Sequence, residues 1–248
     1  MPAETTNRQK PALVLLPGLL CDQAVWEAQC ARFGAQYACQ VPDYGALDSL
    51  PAMAEHVLKH APAQEFHLAG HSMGGRVALE VFRLAPERVL GLALLDTGYK
   101  ALPAGVAGES ERAGRMALLQ TARERGMREM GRIWARGMVH PDRLDGPVFE
   151  AVLDMLERRT PEIFAAQIHA LLNRPDASPL LPRISCPTLV LCGREDSWSP
   201  LARHEEIAAA IPGARLVAVD HCGHMSTMEQ PEAVNEAMAQ WLAADAER

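Results

Sequence analysis

Aromatic residues are scarce in this chain, 5% of 248 positions. So thin a supply offers no platform on which successive nucleobases would stack. Positive charge is in deficit too. Twenty-four Lys and Arg stand against 31 Asp and Glu, a formal charge of −7, which argues against nucleic acid or an anionic membrane as partner. No apolar run approaches the ~18 residues needed to span a bilayer. The opening stretch Met1–Lys10 lacks the apolar core of a signal peptide and reads as a short disordered lead, so the expectation is a cytoplasmic protein. The cysteines (Cys21, Cys30, Cys39, Cys186, Cys192, Cys222) form no CxxC pair and no metal-ligand rhythm. They read as free thiols in a reducing compartment, and neither a metal nor another cofactor is called for. Internal repeats and low-complexity tracts are absent as well. What these absences leave is a globular chain acting on a small molecule, with its oligomeric state unmarked.

What is there is an alternation. Ala12–Leu16, Tyr37–Val41, Glu65–Ala69 and Val89–Leu95 are short runs suited to strands, the first and last apolar enough for buried parallel ones. Helical stretches around Asp22–Phe33, Leu50–His60 and Arg76–Phe82 separate them. That is a doubly wound α/β pattern with short connections. It breaks near Lys100, and as far as Arg183 the segments read as helices only: Glu109–Arg125, Met127–Met138, Pro147–Arg159 and Pro161–Asn173, punctuated by Gly and Pro. Alternation resumes with Thr188–Cys192, a helix near Leu201–Ile211, the strand Ala214–Val219 and a helix near Glu232–Ala243. The division predicted is one α/β core, residues 1–99 and 184–248, with an all-helical insertion over 100–183.

Gly70-His71-Ser72-Met73-Gly74-Gly75 lies between a strand and a helix. A G-x-S-x-G turn this sharp holds its serine at positive φ and needs small residues two positions to either side, which Gly70 and Gly74 supply. Ser72 is the candidate nucleophile. Its hydroxyl needs an imidazole as base and a carboxylate to set the imidazole tautomer. Those groups belong on loops at the carboxyl ends of later strands. Gly193-Arg194-Glu195-Asp196 offers Asp196, with Asp96 as competitor and Glu195 directed away. Asp220-His221-Cys222-Gly223-His224 offers His224, with His221 as runner-up. Oxyanion donors are expected from the Met73 N–H and from the loop Pro17–Asp22, at Leu19 in preference to Leu20.

Together these motifs resemble the α/β-hydrolase superfamily over essentially the whole chain, and the helical insertion resembles the lid of small bacterial carboxylesterases and meta-cleavage-product hydrolases. The resemblance rests on Pro17-Gly18, Pro42-Asp43-Tyr44-Gly45, the Ser72 elbow, Gly193–Pro200 and Gly223-His224. It departs at Pro17, where many relatives carry a histidine. The short segment before Ala12 implies a sheet of about six strands without the antiparallel pair that opens the usual eight. A serine at the elbow excludes the alkyl-enzyme chemistry of relatives with a carboxylate there.

The first functional expectation is hydrolysis of a carboxylic ester with a small to medium apolar acyl group. Leu20, Trp26, Arg76, Trp198 and Met225 are the pocket candidates, with lid methionines Met116, Met127, Met130, Met138 and Met155 as further apolar lining. Carbon–carbon bond hydrolysis, lactone opening or a menaquinone-pathway-like elimination forms the alternative. Such substrates carry carboxylates; Arg76 resembles an arginine of the menaquinone lyases, and Arg123, Arg125, Arg128, Arg132 and Arg136 are the insertion's candidates. A ligand receptor without turnover is the third expectation.

Overall fold

The most apolar runs, Ala12–Leu16 and Val89–Leu95, form strands inside the sheet, and the less buried Ala38–Gln40 and Arg215–Val219 form its edges. A computed structural model describes residues 10–246; all of the expected disordered lead but Lys10 lies outside the described residues. The elements run β1 (Ala12–Leu16), α1 (Glu27–Phe33), β2 (Ala38–Gln40), α2 (Leu50–His60), β3 (Phe66–His71), α3 (Met73–Leu84), β4 (Val89–Leu95), α4 (Val106–Arg125), α5 (Met127–Trp134), α6 (Pro147–Glu157), α7 (Pro161–Leu172), β5 (Thr188–Gly193), α8 (Leu201–Ala210), β6 (Arg215–Val219), α9 (Ser226–Glu229) and α10 (Pro231–Ala246).

The six strands form one parallel sheet in the order β2-β1-β3-β4-β5-β6. Every residue of β1, β3 and β5 is buried, so both faces of the central sheet are covered. The short β2 and the half-exposed β6 take the edges, where one side of the ladder is open. Helix α1 packs on α10, which also covers β4, β5 and β6; α2 packs on α3, which covers β1, β3 and β4. The order of strands reverses between β1 and β3, and their carboxyl-end loops diverge there. Open α/β sheets bind ligands at such a crevice.

Between β4 and β5 the chain makes an excursion of four helices, α4 to α7, tied back to loops of the sheet. Arg159 pairs with Asp43 at 3.0 Å and donates to the Cys21 carbonyl at 2.7 Å; Arg158 meets Asp22 at 2.7 Å. Gln167 donates to the Gly45 carbonyl and accepts the Leu20 N–H at 2.8 Å. Thr160 caps α7 through the Ile163 N–H, with Pro161 at the first helical position.

Some boundaries differ from the sequence reading. Helix α4 starts at Val106, three residues early, because Gly105 at φ 67° turns the chain and its carbonyl accepts the Glu109 N–H. The Asp22–Phe33 stretch divides into a 3-10 turn (Gln23–Trp26), capped by Asp22, and α1. Helix α5 stops at Trp134 and tightens into a 3-10 turn over Ala135–Gly137. Helix α9, a single turn, left no periodic signal. Among the described residues no helix is long and apolar enough to cross a membrane, and all six cysteines are free.

Candidate active site

Ser72 follows β3 and caps α3 at φ 55°, ψ −117°, a strained conformation for a residue with a Cβ. The turn is held from both sides. Its N–H donates to the Leu95 carbonyl at 2.8 Å, and its carbonyl accepts the Thr97 hydroxyl at 2.6 Å. The glycines allow the strand and helix to touch. A Cβ on Gly70 would stand 2.3 Å from the Gly74 carbonyl oxygen, and one on Gly74 2.2 Å from that of Leu16. Both obstacles are backbone. Gly74→Ala is therefore expected to destabilise the fold by about 3 kcal/mol or more, measurable as a denaturant midpoint shift at constant m-value.

The hydroxyl of Ser72 lies 2.9 Å from His224 Nε2, and His224 Nδ1 lies 2.7 Å from Asp196 Oδ2. The other Asp196 oxygen accepts the N–H groups of Trp198 and Ser199, each at 2.8 Å. Burial opposes the charge on Asp196, but the His224 imidazolium and these hydrogen bonds hold its pKa below the usual value. His224 is almost fully buried. Desolvation works against its protonation, yet the charge and hydrogen bond of Asp196 outweigh that and raise its pKa above 6.5. The histidine loop is fixed through its backbone. The His224 N–H donates to the Met138 carbonyl at 2.7 Å. Glu229 accepts the flanking N–H groups of Gly223 and Met225 at 3.0 and 3.1 Å, and also that of His140 at 2.7 Å. Glu229 is a contributor that sequence reasoning missed; a carboxylate one turn after the histidine was its only trace.

The competing groups occupy other places. Asp96 is buried at the end of β4 at φ 48°, accepting the Gly193 N–H at 3.0 Å and pairing with the Ser226 hydroxyl. Burial, then the neighbouring charge of Asp196, pushes its pKa up to about 8. Asp96 makes its imidazole contact with His71, at 3.6 Å. His71 donates from Nε2 to the His224 carbonyl at 2.8 Å, and burial lowers its pKa to about 3, keeping the ring neutral. His221 is exposed and packs edge-on against His140. Glu195 accepts the Cys222 N–H at 2.9 Å, away from His224.

A cavity of about 530 Å³ opens over these groups, lined by Leu19, His71, Ser72, Met73, Arg76, Trp198 and His224 from the core loops and by Trp134, Met138 and Leu171 from the excursion. Trp198 stacks on Trp134 at 5.2 Å and leans on the His224 ring at 5.1 Å. The Leu20 N–H is taken by Gln167, and Leu20 itself is fully buried at φ 61°. Trp26 and Met225 are likewise fully buried, and neither they nor Leu20 line the cavity; being next to a site loop in sequence did not aim their side chains at it. Of the insertion's methionines only Met138 reaches the cavity. Met127, Met130 and Met155 pack in the helical core, and Met116 is exposed.

The arginines singled out in the insertion face solvent or its edge. Arg128 binds Glu150, Asp154 and Glu157; Arg125 and Arg132 meet Glu129; Arg123 and Arg136 are exposed. Others, unsuspected, line the cavity beside Arg76: Arg115, Arg174 and Arg203, with Lys100 and Glu111. Among the described residues no group of three or more His, Cys, Asp or Glu is arranged to hold a metal ion.

The model of the Alpha/beta hydrolase family matches residues 13–237. The chain is 26% identical to the pimeloyl-[acyl-carrier protein] methyl ester esterase of Nitrosomonas europaea, over 92% of this chain and 94% of that one. It is 30% identical to a 2-hydroxy-6-oxononadienedioate/2-hydroxy-6-oxononatrienedioate hydrolase of Klebsiella pneumoniae, over 71% of this chain and 62% of that one. A solved esterase from Thermogutta terrifontis, with malate bound, superposes with a TM-score of 0.81 at 28% identity, covering 96% of this chain and 91% of that chain. With its parallel six-stranded sheet and a family match over nearly its whole length, this chain belongs to the alpha/beta hydrolase family.

Proposed function

We propose that the protein is a serine hydrolase that cleaves a carboxylic ester through an acyl-enzyme on Ser72. The observation that carries this reading is the chain of hydrogen bonds from Ser72 Oγ through His224 to Asp196, 2.9 and 2.7 Å long, at the floor of the cavity. Ser72 Oγ attacks the ester carbonyl carbon while His224 Nε2 takes its proton, and Asp196 supports the imidazolium. The N–H groups of Met73 and Leu19 receive the oxyanion; Leu20 is not available for this, since its N–H is held by Gln167. Collapse of the tetrahedral intermediate expels the alcohol, which leaves with the proton held on His224. Water then attacks the acyl-enzyme, giving its proton to His224, and collapse returns that proton to Ser72 as the acid departs. Residues 100–183 act as a cap that shapes the pocket and, through the Met138 carbonyl and Gln167, steadies the histidine and oxyanion loops.

The test is steady-state turnover of a p-nitrophenyl ester series of rising acyl length. The expected result is saturable turnover with an optimum at small to medium acyl groups. The base must be neutral to act, and His224 is raised above 6.5. The acid limb of kcat/KM should therefore have its midpoint above pH 6.5, activity falling as pH drops through it. A midpoint at or below pH 6, or no turnover of any ester, would contradict the reading. The arginine-rich lining favours one second reading, cleavage of a carbon–carbon or lactone bond in a carboxylate-bearing substrate by the same three residues.

A further inference from the structure

The charges around the cavity do not balance. Five cationic side chains line it, Arg76, Lys100, Arg115, Arg174 and Arg203, against the carboxylates Glu111 and Asp96. Asp96 is buried, occupied by the Gly193 N–H and the Ser226 hydroxyl, and burial pushes its carboxyl up to about 8. Glu111 is consumed by two of the arginines, meeting Arg174 at 2.7 and 2.8 Å and Arg115 at 2.9 Å. Lys100 turns outward to Glu206 at 2.8 Å. Arg76 and Arg203 have no carboxylate in ion-pair contact, only Glu111 and Glu206 at longer range. Arg76 donates to the Lys100 carbonyl at 2.9 Å, and Arg203 to the Trp198 carbonyl at 3.0 Å and the Ser199 hydroxyl at 3.3 Å; among the described residues neither makes an ion pair.

These two converge. A Cβ on Gly98 would stand 2.5 Å from Arg76 Nη2 and 3.3 Å from Arg203 Cδ, so the absence of a side chain at Gly98 gives both room. Arg76 sits one helical turn along α3 from Ser72, about 6 Å of rise. Like charges this near in a partly desolvated cavity repel each other. Burial first, then Arg174 and Arg203, lowers Arg76 to about 9, which still leaves it cationic at neutral pH. An arriving anion would relieve that repulsion. Glu111 shows the chemistry this group of arginines accepts, a carboxylate gripped by both nitrogens of one guanidinium.

We propose that Arg76 and Arg203 form a carboxylate-binding end of the cavity, and that the ester cleaved at Ser72 carries a second, free carboxylate. The proposal rests on the hydrolase reading of Ser72 and names its substrate class. Hydrolysis then turns a half-ester and water into a dicarboxylic acid and an alcohol, or an acyl ester of a hydroxy acid and water into a monocarboxylic acid and that hydroxy acid.

Two matched pairs of esters separate those cases. For a carboxylate on the acyl side, p-nitrophenyl hemiglutarate is compared with its neutral monoamide after subtraction of the spontaneous rates. For the leaving side, 4-(butyryloxy)benzoate is compared with 4-(butyryloxy)benzamide. In one pair the charged ester should have a kcat/KM about tenfold or more higher, chiefly through KM. In Arg76→Gln, and separately in Arg203→Gln, that preference should shrink toward one. Calorimetric binding of glutarate to Ser72→Ala reads the same site without turnover, and that binding should be lost when Arg76→Gln is added. Wild-type ratios near or below one in both pairs, or no glutarate binding to Ser72→Ala, would overturn the carboxylate site. Absence of all ester turnover alongside glutarate binding would instead overturn the hydrolase reading and leave the site standing.

Discussion

Replacing Ser72 with alanine is expected to lower kcat on a p-nitrophenyl ester by about 10⁵-fold or more, leaving what binding and oxyanion donors achieve alone. The size follows from what Oγ does. It is the atom that bonds to the acyl carbon, and it is the hydrogen-bond partner of His224 Nε2. Without it the two half-reactions collapse into direct attack by a water that nothing positions. The substitution is mild for the fold. Serine and alanine both carry a Cβ, so the strain at φ 55° is unchanged, and the backbone bonds to Leu95 and Thr97 survive. An unchanged thermal midpoint would therefore accompany the lost activity. Residual turnover within tenfold of wild type would rule Ser72 out as the nucleophile.

Asp196→Asn is expected to lower kcat by about 10⁴-fold, and Asp96→Asn by less than about tenfold at pH 7. Asp196 uses both oxygens: Oδ1 holds the N–H groups of Trp198 and Ser199, and Oδ2 accepts from His224 Nδ1. An asparagine must keep its oxygen toward the two backbone donors, because turning over would orphan both. Its NH₂ then faces Nδ1 and forces the tautomer that protonates Nε2, and such a ring cannot take the Ser72 proton. The stabilising charge is lost as well. Asp96 stands differently. Burial pushes its carboxyl up to about 8, its oxygen can still accept the Gly193 N–H as asparagine, and His71 lies between it and the His224 backbone. Steady-state kinetics of the two variants on one ester decides between them. A large loss at Asp96 with a small one at Asp196 would reverse the assignment.

How far this arrangement was legible in the sequence depended on the range of the forces involved. Strands β1 and β4 could be read because burial on both faces demands an unbroken apolar run. The elbow could be read because Gly70 and Gly74 touch groups within a few residues or on the adjoining strand. Loop residues at strand ends were in reach, since the parallel order places those ends side by side. The cavity wall was not. Arg174 meets Glu111 across 63 positions, and only the packing of α4 against α7 brings them together. Arg128 and Arg132, equally basic, turn to the acidic residues of their own surface. Trp26 looked like pocket lining from its place near the first loop, yet it is wholly in the core. Local sequence records which backbone a residue sits on; the side to which its side chain turns is settled by tertiary packing.

The central claim is that Ser72 carries the acyl group during turnover, and the most direct measurement is the intact mass of the protein quenched early in reaction with p-nitrophenyl butyrate. The account predicts a species heavier by one butyryl group. Peptide mapping should place the adduct on Ser72, and it should be missing from Ser72→Ala. Efficient wild-type turnover with no adduct on Ser72 at any quench time, or an adduct that persists in Ser72→Ala, would contradict it.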